Sequence, residues 1–287
     1  MSEIKLITGC ESGFEYSKLL DIGTSELNAY SQRVREKFKR FPQDAVGTAE
    51  WVLRPYLSLK MLLGATVMMS SLDYCAVRGV RIVEPYLSYY GLLNAARAFL
   101  FEIPHVTWNH GELLRANHSK IHNVVTGELK SISTQLSERH AIMCSKAQMA
   151  REFFSYRFPA QGLKGEMEQV LGDWTEVHEH SILLAELAQF NSECLQTECG
   201  NRELDLEDPE SEELLKTFYF YEHRTDEIVD QDDYHRLGDI LRKAPSTTVL
   251  INKVPPCGFK RHGGGSDANP SSSRNRRFQF FSRSPAK

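Results

Sequence analysis

Residues 84–104, EPYLSYYGLLNAARAFLFEIP, constrain the fold more than any other part of the chain. Pro85 stands at a helix start, where its missing N–H costs nothing, and Pro104 closes the segment. Between them Tyr86, Tyr89, Tyr90, Leu93, Ala96, Arg97 and Leu100 follow a 3.6-residue period. Ala95, Ala96 and Ala98 form a slim face on which another helix can lie close. A helix this apolar must be covered by other helices, so the segment predicts a mainly α chain folded as a helical bundle.

The flanking sequence supplies those partners. Ser25 can cap a helix reaching residue 38, with Leu27, Tyr30, Val34 and Phe38 on one stripe. Apolar residues at helical spacing over 45–83, interrupted by Pro55 and by Arg78-Gly79, predict one or two buried helices, with room for a strand at 77–83. Further helices are expected over 109–125, 137–154, 165–194, 211–221 and 232–241. Residues 4–8 and 247–254 are the places where a minor β element could form. The pattern divides into an N-terminal segment (1–45), a helical core (46–165), a C-terminal helical region (166–258) and a basic tail (259–287). That tail, rich in Gly, Ser, Asn and Pro before a final FQFF, reads as disordered.

With 41% hydrophobic and 25% charged residues, the chain can build a core without disulfides or a structural metal. Six scattered cysteines and an N-terminus without a signal-peptide pattern lead us to expect a reducing cytoplasm. The nine-residue apolar run 61–69 is too short to span a bilayer, so it is expected in the core, with no membrane partner. The net charge of -4 hides an acidic stretch at 198–233 and the basic tail. There is no P-loop, dinucleotide fingerprint or nucleophile elbow, so no cofactor is expected. Asp173, Glu176 and His180 are the acidic and histidine residues that one helical face could bring together. They lack a second cluster, so no metal site is expected.

The chemistry-bearing residues gather in 84–125. Read as one helix, Arg115, His118 and His122 are spaced i, i+3, i+7 and share a face. An arginine beside histidines is the minimum equipment for metal-independent RNA cleavage: an imidazole moves the proton and a guanidinium holds the phosphate. The alternative for the same residues is a wet helix face with Arg115 paired to Glu112 or Glu128.

SYYGLLNAARAFL resembles the opening helix of HEPN-type domains, in which a Tyr-Tyr pair and an Ala-Arg-Ala run recur. Arg115 and His122 are similar to the arginine–histidine signature of HEPN ribonucleases, with Ala116 and Asn123 where members often carry a polar residue and a glycine. LSERHAIMCSKAQMAREFF is similar to the following helix, and the segment 84–155 also resembles YaaC-like bacterial proteins. The resemblance implies a small, often dimeric bundle that acts on or binds RNA in bacterial defence or toxin–antitoxin systems. It implies His122 as general acid or base, Arg115 as phosphate clamp and His118 as assistant, with Arg97, Asn117 and Tyr89 at the binding surface. A second reading is a non-catalytic helical module that binds a protein partner through the acidic region or the tail.

Overall fold

The computed structural model describes residues 3–10, 14–41, 44–107, 112–157 and 174–200, together with two short strands. Among these, seven helices carry the fold: α1 (Glu3–Thr8), α2 (Thr24–Phe38), α3 (Ala45–Arg78), α4 (Glu84–Phe101), α5 (His118–Ile132), α6 (Thr134–Tyr156) and α7 (Thr175–Cys199). The strands β1 (Tyr221–Glu222) and β2 (Glu227–Ile228) pair antiparallel. The mainly α expectation stands.

Helix α4 is the axis of the bundle. Nearly every residue from Ser88 to Phe101 is buried, and α3, α5, α6 and α7 all pack on it. Its slim residues explain the close approach of α3: a Cβ on Gly91 would meet Met69 Cε at 2.6 Å, and Ser58 Oγ donates to the Ala98 carbonyl at 2.9 Å. Helix α7 is buried on all sides from Leu183 to Leu195, as expected of a central helix. Its polar groups are tied down. Glu186 accepts from Ser17 N, Ser17 Oγ and Leu19 N at 2.6–2.8 Å, which fastens the N-terminal segment to the bundle. One hydrophobic core therefore runs from Ile4 to Leu195, through residues of the first three sequence segments.

Helix α3 continues through Pro55 for 34 residues. An interior proline costs about 3 kcal/mol. Residues 51–58 are all buried, and that packing outweighs the loss. Asp44 caps its start by accepting from Gly47 N, and Gly79 ends it at φ +70, the left-handed conformation that glycine adopts freely. Arg54, fully buried, pairs with Glu50 at 2.5 Å and donates to the carbonyls of Phe101, Ile103 and Val106. The Phe101 carbonyl is one that the end of α4 leaves open, and the other two belong to the loop that follows. By length and composition alone Val46–Arg78 could cross a membrane, and 56% of its most apolar window is buried inside the protein.

Four expectations are corrected. Residues 4–8 form a helix, not a strand: Ile4 and Ile7 turn inward at i, i+3, whereas alternation would have buried Leu6, which is 70% exposed. No strand forms at 77–83, where α3 ends and a short 3-10 turn, Arg81–Val83, follows. The helix expected over 109–125 is a 3-10 turn, Glu112–Arg115, followed by α5, which starts at His118 and passes Gly127 to end at Ile132. The long C-terminal helix is described from Thr175 onward. Tyr221, expected in a helix, lies in β1; the rest of the helices at 211–221 and 232–241, the β element at 247–254 and the tail lie outside the described residues.

Candidate functional site

Asn117 decides the local geometry. Its side chain accepts from Lys120 N at 2.8 Å, so it is the N-cap of α5 rather than a residue within a longer helix. Arg115 is left on the preceding 3-10 turn, exposed, while His118 and His122 remain one turn apart on α5. The face expected to unite Arg115, His118 and His122 is therefore broken at Ala116-Asn117.

What gathers instead is a corner between α4, α5 and α6. His118 Nδ1 lies 2.7 Å from Tyr89 Oη, and the two rings stand 5.6 Å apart. Arg151, from α6, lies over the Tyr89 ring at 4.9 Å. Arg97, two turns along α4 from Tyr89, is half-buried, and among the described residues it has neither a hydrogen-bond partner nor a carboxylate. Burial first, then the charges of Arg97 and Arg151, hold His118 below the ordinary histidine value. Glu152 pairs with Arg151 at 3.3 Å, and neither it nor any other described acid acts on His118. The corner gathers two arginines and a histidine at the N-terminus of a 15-residue helix.

Behind it lies a second cluster, inside the bundle. His122 Nδ1 is 3.0 Å from Cys144 Sγ, which is 3.4 Å from His140 Nε2, and His140 Nδ1 is 2.9 Å from His180 Nε2. Burial, with His118 and Arg97 adding to it, pushes His122 down to about 4. Burial likewise takes His180 to about 3 and His140 well down, and lifts the Cys144 thiol to about 12. All four are neutral at physiological pH. His122, 8% exposed, is a core residue set against a thiol. His122, His140 and Cys144 could hold a metal ion, their ligand atoms lying within 4.8 Å of one another.

Of the residues singled out from sequence, the structure brings together Tyr89, His118 and Arg97, makes Asn117 a helix cap, buries His122 and leaves Arg115 apart. His180 joins the buried cluster while Glu176 is exposed, and Asp173 lies outside the described residues. Sequence reading missed Arg151, His140 and Cys144. The i, i+4 spacing of His140 and Cys144 was a signal for the last two. An open groove of about 560 Å³ lies elsewhere, between the loop after α4 and α5, and is lined by Leu100, Val106, Lys120, Val124 and Glu128 among others. It includes none of Arg97, His118 and Arg151. Compared with known family models, curated proteins and solved structures, the chain matches none.

Proposed function

We propose that the chain binds RNA through its phosphodiester backbone at the Arg97–His118–Arg151 corner and cleaves it there without a metal ion. The observation that carries the reading is Arg97: a half-buried guanidinium that, among the described residues, has no partner, beside a histidine on which no described acid acts. Desolvating a cation without pairing it is costly, and an arriving phosphate recovers that cost through two-pronged, charge-assisted hydrogen bonds. Arg151, over the Tyr89 ring, adds a second guanidinium, and the start of α5 adds its backbone N–H groups.

The chemistry follows from His118. If its Nδ1–H is donated to Tyr89 Oη, Nε2 keeps its lone pair and can take the proton of a ribose 2′-hydroxyl. The 2′-oxygen attacks phosphorus, the P–O5′ bond breaks, the departing 5′-oxygen takes a proton from water while protonated His118 returns its own to solvent, and the products are a 2′,3′-cyclic phosphate and a 5′-hydroxyl. Arg97 and Arg151 stabilise the negative charge that builds on the phosphoryl oxygens. The HEPN-like resemblance points the same way, with the roles moved from Arg115 and His122 to Arg97 and His118.

Binding of a labelled single-stranded RNA, followed by anisotropy against salt, tests the first half. Arg97→Ala and Arg151→Ala should each weaken binding across sequences and reduce the salt slope by about 1. A loss confined to Arg115→Ala would return the site to the 3-10 turn and overturn this placement. A second reading, a helical module that holds a protein partner, is favoured by the exposed apolar row Val67, Tyr74 and Val77 on α3.

A further inference from the structure

The buried cluster has no part in holding a phosphate, yet it concentrates soft ligands where a core would normally place hydrocarbon. His140 and Cys144 sit one turn apart on α6, and His122 faces them from α5. Among the described residues, His122 Nε2 and His180 Nδ1, at the two ends of the run, are buried without a hydrogen-bond partner. Either orientation of the protons strands one nitrogen at each end.

The spacing suits a metal. With metal–sulfur near 2.3 Å and metal–nitrogen near 2.0–2.1 Å, tetrahedral ligand atoms S and N lie about 3.6 Å apart. Cys144 Sγ is 3.0 Å from His122 Nδ1 and 3.4 Å from His140 Nε2, and the three ligand atoms lie within 4.8 Å of one another, so side-chain shifts can bring them around one ion. The partner behind the ligand is also in place. His140 Nδ1 can donate its proton to His180 Nε2 at 2.9 Å, which leaves His140 Nε2 facing the thiol with its lone pair.

Charge selects the ion. A thiolate and two neutral imidazoles carry one negative charge, and the cluster includes no carboxylate. A divalent ion would leave an uncompensated positive charge in the core, whereas Cu⁺ leaves none. Thiolate and imidazole donors suit Cu⁺ as well.

We infer that His122, His140 and Cys144 form a buried three-ligand site for one thiophilic ion, Cu⁺, with His180 as the positioning residue behind His140. Binding breaks the Cys144 S–H bond, forms a metal–sulfur bond and releases one proton to solvent. The ion would clip α5 to α6, next to the RNA corner but without touching its reacting atoms.

The test titrates the metal-free full chain anaerobically with Cu⁺ held by a chromogenic chelator, and with Zn²⁺ in a parallel series. We expect one Cu⁺ per chain withdrawn from the chelator, one proton released and a higher melting temperature. Cys144→Ser should abolish uptake, Cys75→Ser should keep it, and His180→Gln should weaken it about 10–100-fold. X-ray absorption on the loaded wild-type chain, which does not depend on any variant folding, should show one sulfur and two nitrogen neighbours. No uptake, uptake of Zn²⁺ alone, undiminished uptake by a folded Cys144→Ser chain, or a sulfur-only shell would each overturn the site.

Discussion

Single residues divide sharply into those whose role could be read from the sequence and those that needed the fold. Ala96, placed on the slim face of its helix from periodicity, is fully buried. Arg115 was grouped with His118 and His122 because a continuous helix was assumed. Asn117, a preferred capping residue, ends that assumption, and the signal was present in its identity. Arg54 could not have been read at all. An arginine between Leu53 and Pro55 looks like a solvated charge, and only the end of α4 lying against it shows why it is inside. We predict that Arg54→Met costs about 3–5 kcal/mol, since it strands Glu50 and reopens the carbonyls of Phe101, Ile103 and Val106. Denaturant unfolding measures this. A change below about 1 kcal/mol would mean that water replaces the guanidinium.

Helices were legible from the apolar period, as in α2, α4 and α6, although Ser25, expected to cap α2, lies inside that helix, whose N-cap is Gly23. They were misread where one breaker residue was given too much weight. The helix expected over 109–125 ended short of Gly127, but a mid-helix glycine costs only about 1 kcal/mol. Burial of Leu129 and Ile132 beyond it is worth more. The same logic carries α3 through Pro55. The close contact between α3 and α4 yields a prediction at this scale. Ala96→Leu adds three carbons to a face with no free space and should cost about 1–3 kcal/mol through overpacking. A denaturant midpoint equal to that of the wild type would show that the bundle can open around the larger side chain.

At the scale of the whole molecule, three consecutive helices bring the corner together. Tyr89 and Arg97 come from α4, His118 from α5 and Arg151 from α6. Their meeting depends on the order of packing around α4, which no local pattern encodes, and this is why Arg151 was missed. The packing also sorts two histidines one turn apart into opposite roles. His118 keeps a half-open position beside two arginines, while His122 is buried against a thiol and held at about 4. The account therefore assigns proton transfer to His118, and the most direct measurement separates it from the rest. The purified full chain is incubated with single-stranded RNA in excess EDTA beside His118→Ala, and the product ends are identified. The account predicts fragments ending in a 2′,3′-cyclic phosphate for the wild type and none for His118→Ala, with the helical circular-dichroism spectrum unchanged. RNA left intact by the wild type, or cut equally by both proteins, would contradict it.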